Sequence, residues 1–201
     1  MSIAPTVGAA LRRARAALKG FAVSGPGRDR WQHPDRVVGA LGLRAGDRVA
    51  DLGSGAGYFT FRLARAVGPT GTVYAIDNDR DLLALLTARA ARLGLANVVG
   101  VEAGEDGVRL PEAVDLVLVV NAFHHLPGQR AFFAELAGSL RPGGWVAVIE
   151  ATPTGINRVI GHASDPAAIR SAMAAAGYRQ VAGHDFLPRQ SFQVFEVLQV
   201  A

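Results

Sequence analysis

The chain contains no cysteine, which removes disulfides, thiolate metal sites and thiol nucleophiles together and leaves the redox compartment undecided. It also has no uninterrupted apolar run of the roughly 20 residues needed to span a bilayer, so a soluble protein is expected. Charged residues make up only 19% of the sequence and aromatic residues 7%, against 50% hydrophobic; that balance describes a globular, core-rich protein. No internal repeat and no low-complexity tract interrupts it. Acidic side chains are missing from the start of the chain, where the first is Asp29.

At 201 residues one domain of ordinary size is the default, large enough for a three-layer core without metal or disulfide staples. The net charge of +4 is unevenly placed: residues 1–48 hold nine Lys/Arg against three Asp/Glu, the remainder twelve against fourteen. The basic stretch Leu11–Lys19 reads as a helix and Gly20–Gly27 as a linker, giving a basic N-terminal segment over 1–27 and the main domain over 28–201. Such an arm suits peripheral contact with anionic lipid, RNA or an acidic partner, although a solvated helix face is the more ordinary reading. Its apolar part precedes its positive charges, the reverse of a secretory signal. An acid-free, Arg-rich start loosely resembles an organelle transit peptide, but a cytoplasmic location is the better expectation.

Among the residues present, Asp51-Leu52-Gly53-Ser54-Gly55-Ala56-Gly57 carries the most information. An apolar strand from Arg48 runs into a turn with three glycines at alternate positions, and an amphipathic pattern begins at Tyr58. Glycines there let the backbone take positive φ and lie flush against a ligand, as in a nucleotide-type cofactor loop. The acid two places before the first glycine selects among cofactors, because a carboxylate repels a pyrophosphate and suits a ligand bearing an ammonium and a sulfonium. The dinucleotide fingerprint needs a further glycine at position 58, which is Tyr58, so NAD fits less well than S-adenosylmethionine.

From Asp47 onward, strand-length apolar runs alternate with helical patterns, which predicts βαβ units and a parallel sheet covered on both faces. Strands are predicted over Arg48–Leu52, Thr72–Ile76, Asn97–Glu102, Val114–Val120 and Trp145–Ile149, with helices over Tyr58–Val67, Asp81–Leu93 and Gln129–Ser139. Leu140–Gly144 reads as a turn. Asp165-Pro166 reads as an N-cap with proline at the first helical position, opening a helix to Ala176. Tyr178–Phe186 and Phe192–Val200 are separated by only five residues, which permits an antiparallel hairpin and forbids a parallel crossover.

Asp77, ending the second strand, lies 24 positions after Gly53. In a doubly wound sheet that places a carboxylate beside the glycine loop, able to accept both ribose hydroxyls of an adenosine; alone, Asp77 also reads as a cap for the next helix.

With these features together, roughly residues 28–200 resemble the class I S-adenosylmethionine-dependent methyltransferases, in particular the methyltransferase-domain group of the ubiquinone/menaquinone and arsenite methyltransferases. The segments that carry the resemblance are Val49–Gly57, Val73–Asp77, Asp115–Asn121 and Leu140–Gly144. It implies an α/β fold, a doubly wound Rossmann-like sheet of seven mostly parallel strands with an antiparallel last strand and helices on both faces. It also implies S-adenosylmethionine as cofactor: Asp51 with Gly53, Ser54, Gly55 and Gly57 at the methionine moiety, Asp77 and the adjoining Asn78 at the ribose, and either Glu105 or Asp106 at the adenine amino group.

Asn121-Ala122-Phe123-His124-His125 follows the fourth strand, where ligands of open α/β sheets sit. Asn121 is expected to border the cofactor. His124 and His125 are candidate general bases, since a neutral imidazole near pH 7 can take a proton from a hydroxyl or amine; packing beside the cofactor is the competing role. No metal site is expected, because the pair lacks a third ligand and His33, His162 and His184 are scattered in sequence. Glu150 faces the same rim, as an acceptor-positioning group or a salt-bridge partner. Trp31 is expected to pack, or else to form an aromatic lid.

The expected function is in-line methyl transfer to a small-molecule acceptor of unspecified chemistry, by a monomer or homodimer. Nucleic acid is disfavoured because no Asn-Pro-Pro-Tyr-type sequence follows the fourth strand. Two alternatives stand beside it: a cofactor-binding module whose basic arm recruits RNA or membrane, and an NAD-dependent oxidoreductase.

Overall fold

A computed structural model describes residues 25, 27–104, 107–153 and 162–198. The basic helix Leu11–Lys19, most of its linker, and Glu105 and Asp106 lie outside the described residues.

The elements follow the alternation of the sequence. After two short helices, α1 (Arg28–Gln32) and α2 (Pro34–Ala40), come β1 (Arg48–Leu52), α3 (Thr60–Val67), β2 (Thr72–Asp77), α4 (Arg80–Arg92), β3 (Val98–Glu102) and β4 (Val114–Val120). A 3-10 turn at Phe123–His125 leads to α5 (Gln129–Leu136), a second 3-10 turn, β5 (Leu140–Ala151), α6 (Pro166–Ala175), β6 (Tyr178–His184) and β7 (Gln190–Val197). The sheet order is β3-β2-β1-β4-β5-β7-β6. β7 is antiparallel to both neighbours and every other pairing is parallel, as a five-residue connection between the last two strands requires.

Strand residues of alternating parity feed two cores, because successive side chains point to opposite faces. Ala50, Leu52, Val117, Val119, Val146 and Val148 pack with Phe133 of α5 and with Ile169 and Met173 of α6. Val49, Leu116, Leu118, Ala147 and Ile149 pack with Val37 of α2 and Leu63 and Val67 of α3. Leu83, Leu86 and Ala90 of α4 cover Ala75 on that second face. Asp51 has the parity of Val49, so its side chain turns toward α3.

Three local differences from the sequence reading have physical causes. The helix predicted from Asp81 is capped by Asp79, whose side chain accepts from the amides of Asp81 and Leu82, so Asp77 is not that cap. The helix predicted to Ser139 tightens into a 3-10 turn after Leu136. The predicted turn at Leu140–Gly144 is absorbed into β5: Leu140 pairs with Val114, the register then shifts, and Trp145 resumes opposite Leu116.

Candidate active site

The first four parallel strands end on one rim, where the connection from β1 to α3 is a bend of bare backbone. Gly53, Gly55 and Gly57 all have positive φ (77°, 54° and 85°). At Gly53 a Cβ would stand 2.6 Å from the Ala122 Cβ, and at Gly57 2.6 Å from the Phe61 ring; the first glycine lets the β4 loop approach and the third lets α3 fold back. The amides of Gly53 and Ser54 both donate to the Ile76 carbonyl at 2.9 Å. The Gly55 amide donates to Asp77 Oδ2 at 2.8 Å, and Asp77 Oδ1 accepts the Asp79 amide at 2.9 Å. Asp77 thus fastens the glycine bend to the end of β2, leaving one lone pair on each oxygen. Asn78 beside it is exposed.

Asp51 is buried against this bend, with Oδ2 accepting from the Thr60 hydroxyl. Burial raises its pKa to about 6; Asp77 pushes the same way, while the Thr60 hydroxyl and the Arg28 charge oppose. Arg28 is itself buried at the first turn of α1, with its guanidinium 3.8 Å above the Tyr58 ring. The two opposite charges line one narrow crevice of about 110 Å³ together with Gly53, Ser54, Tyr58 and Asn121. The Ser54 hydroxyl is buried there without a hydrogen-bond partner.

A line of polar side chains runs from Arg28 along the same rim to Asn121. Arg28 Nε donates to Gln32 Oε1, Gln32 Nε2 to Gln190 Oε1 at 2.9 Å, and Gln190 Nε2 to Asn121 Oδ1 at 2.8 Å. Asn121, in the left-handed region at φ 51°, also accepts the Ala151 amide on that oxygen. Asp29 ties the outside of α1 to α3, accepting from the Tyr58 hydroxyl and pairing with Arg62 at 3.1 Å.

Beyond Asn121 lies a second group. Glu150, at the end of β5 and fully buried, places Oε1 3.0 Å from His124 Nδ1, and its Oε2 has no partner. Burial raises its pKa to about 7, opposed by the backbone amides of Ala151, His124 and Phe123. Burial and the neighbouring His162 lower His124; burial, His124 and His162 lower His125. Neutral imidazoles are therefore favoured here. His162, distant from the pair in sequence, stands beside it: its Nδ1 is 3.3 Å from His124 Nε2.

Of the residues singled out in the sequence, Asp51, Gly53, Ser54 and Asn121 meet at the crevice, Gly55 and Asp77 meet through one hydrogen bond, and His124 and His125 gather one step further along the rim. Trp31 is half-buried with the Arg189 guanidinium 5.5 Å from its ring. Sequence reasoning missed Thr60, Arg28, Gln32 and Gln190.

Comparisons with known proteins bear on the fold and on its central residues. Residues 49–144 match the family described as "Methyltransferase domain". A demethylmenaquinone methyltransferase of Staphylococcus aureus (strain JH9) is 31% identical over 118 residues, 57% of this chain and 47% of the relative; the chain spans about half the length of the curated relatives it matches. In fold the chain is similar to a SAM-dependent methyltransferase from Aquifex aeolicus, with a TM-score of 0.81 and 24% identity over 91% of this chain and 97% of that one. It is also similar to the magnesium protoporphyrin IX methyltransferase from Synechocystis PCC 6803, solved with bound SAH, with a TM-score of 0.65 and 18% identity over 94% of each chain.

Proposed function

We propose that the chain, whose residues 49–144 match the family described as "Methyltransferase domain", is a class I S-adenosylmethionine-dependent methyltransferase that transfers a methyl group to a small-molecule acceptor. The observation that carries the reading is the bare Gly53–Gly57 bend flanked by two carboxylates, Asp51 and Asp77, with Asp77 bonded into it. The residues present fit the cofactor. An α-amino acid end carries an ammonium and a carboxylate, and the crevice offers Asp51 and Arg28; the unpartnered Ser54 hydroxyl supplies a further polar contact. Asp77, with its two remaining lone pairs and Asn78 beside it, would hold the ribose hydroxyls. Either Glu105 or Asp106 would receive the adenine amino group.

When bound, S-adenosylmethionine supplies a methyl group on a positively charged sulfur, already activated toward attack. What the protein adds is chiefly alignment and exclusion of water, which can be worth about 7–11 kcal/mol of the barrier. A general base adds about 3–5 kcal/mol, its usual 10²–10⁴-fold. His124, held by Glu150 through Nδ1, and its neighbour His125 stand on the acceptor side as candidate bases. With Nδ1 donating to the carboxylate, His124 keeps its Nε2 lone pair for a proton.

Among the described residues no helix is long and apolar enough to cross a membrane. A cytoplasmic location, a monomeric or homodimeric state, and a basic 1–27 segment acting outside the chemistry complete the reading. Calorimetry with S-adenosylmethionine and S-adenosylhomocysteine tests it. Saturable binding of both is expected, with Asp77→Ala weakening the two alike because both carry the ribose; no binding at millimolar ligand by a folded sample rejects the assignment.

A further inference from the structure

Three of the five histidines in the sequence converge at the end of β4. His124 and His125 come from its 3-10 turn, and His162 from the segment that precedes α6. Each offers a ring nitrogen within 4.8 Å of the others. The geometry points to a binding site for one divalent transition-metal ion of the zinc class, held by His124, His125 and His162, with Glu150 as the carboxylate behind His124.

Two nitrogens each about 2.0–2.1 Å from one tetrahedral zinc stand roughly 3.3–3.4 Å apart. His124 Nε2 and His162 Nδ1 are 3.3 Å apart, so this edge of the coordination polyhedron already has its length. The ring planes of His124 and His162 are at 84° and those of His125 and His162 at 71°, while His124 and His125 lie 3.9 Å apart at 44°, so His162 meets the adjacent pair edge-on.

The second argument is the carboxylate. Metal-bound histidines commonly donate their other ring N–H to an acid that fixes tautomer and orientation. Glu150 does this from full burial, with Oε1 3.0 Å from His124 Nδ1. The proton on Nδ1 leaves Nε2 with its lone pair aimed toward His162. Without an ion, His162 can satisfy that lone pair with its own Nδ1–H; with an ion bound, His162 holds its proton on Nε2 instead and turns the Nδ1 lone pair to the metal.

The donor set selects the class of ion. Three imidazoles with no coordinating oxygen suit zinc, cobalt, nickel or copper and do not suit magnesium or calcium. The His124 side chain is only 9% exposed, whereas His125 and His162 are exposed, which leaves the ion an open side for water or an acceptor oxygen. This inference goes beyond the base assignment: with Nε2 on a metal, His124 takes no proton, and the ion lowers the pKa of the oxygen it binds. The claim about the acceptor rests on the methyl-transfer reading, and the claim that a metal binds does not.

The test uses the tag-free, EDTA-dialysed full chain, titrated with Zn²⁺ by calorimetry and with Co²⁺ by visible absorption. The expected result is a single saturable site with the intense bands of four-coordinate cobalt, and no response to millimolar Mg²⁺. His162→Ala should abolish the site and Glu150→Gln should weaken it about 10–100-fold, while the His33→Ala/His184→Ala double variant keeps it. Melting curves establish that each variant is folded. No saturable zinc binding by the wild type, or equal binding by folded His162→Ala, overturns the inference. S-adenosylhomocysteine titrations on the same samples separate the two readings: ligand binding without zinc binding rejects the metal site alone, and zinc binding without ligand binding rejects the methyl-transfer reading alone.

Discussion

The Gln190 side-chain amide donates to the Asn121 oxygen across 2.8 Å, joining the first residue of β7 to the residue that follows β4. Through Gln32 the same line reaches Arg28 on α1. Three chain segments distant in sequence therefore share one polar path, in which Gln32 and Gln190 are buried with almost no solvent to fall back on.

Gln190→Leu removes both the donor to Asn121 and the acceptor for Gln32, leaving buried polar atoms unpaired. A loss of about 1–3 kcal/mol is expected, read as a melting temperature lower by about 2–4 °C for each kcal/mol in a chain of this size. Gln32→Leu/Gln190→Leu should lose less than the sum of its single variants, because the second substitution removes a group the first has orphaned. Simple additivity in thermal melts would mean the path is not a coupled unit.

Arg28 and Asp51 divide the ends of an amino-acid zwitterion between them. Arg28→Met keeps much of the packing over Tyr58 and deletes the cation. S-adenosylhomocysteine should then bind about tenfold more weakly or worse, roughly 1.4 kcal/mol. Methylthioadenosine, which has no amino-acid end, should bind as it does to the wild type. Equal losses for the two ligands in calorimetry would remove Arg28 from that role.

Gly53→Ala sets a Cβ 2.6 Å from Ala122 at a φ of 77°. The strain costs about 1–3 kcal/mol, and its relief must move the segment that also carries Asn121 and His124. Expected outcomes are a lower melting temperature and loss of S-adenosylhomocysteine binding in the same variant. Native affinity in Gly53→Ala would show that the bend does not have to lie flush against the ligand.

The parallel βαβ units and the final antiparallel hairpin could be anticipated because strand-length apolar runs alternate with helical patterns and the last connection has only five residues. The placement of Asp51, Gly53, Gly55 and Asp77 around one bend was equally legible, since each lies at or just after the end of a parallel strand. What could not be read are the pairings between distant segments. Gln32 and Gln190 are 158 positions apart and have the composition of ordinary surface residues. His162 comes 37 positions after His125 in a stretch of sequence without periodicity, so a two-histidine turn gave no sign of its third member. The cap of α4 was missed as well: it is Asp79, whose side chain accepts from the amides of Asp81 and Leu82, and not Asp77.

The pH dependence of ligand binding follows from Asp51. Its pKa in the folded protein is raised to about 6 from an ordinary 3.8, so between these values the folded state holds a proton that the unfolded chain has released. Stability therefore falls as pH rises through that window. The cost reaches about 3 kcal/mol above pH 6 and stays constant thereafter. Asp51→Asn keeps an acceptor for Thr60 and removes the charge, so it should be more stable than the wild type at pH 7.5 by up to that amount, with the difference vanishing near pH 4. The buried charge is useful only when a cation pairs with it. In the wild type, S-adenosylhomocysteine affinity should drop about tenfold per pH unit below about pH 6 and level off above pH 7, whereas Asp51→Asn should bind weakly with no such slope. Denaturant melts and calorimetry across pH 4–8 check both halves; a wild type whose affinity is flat from pH 5 to pH 7 would show that ligand binding does not require the ionised carboxylate.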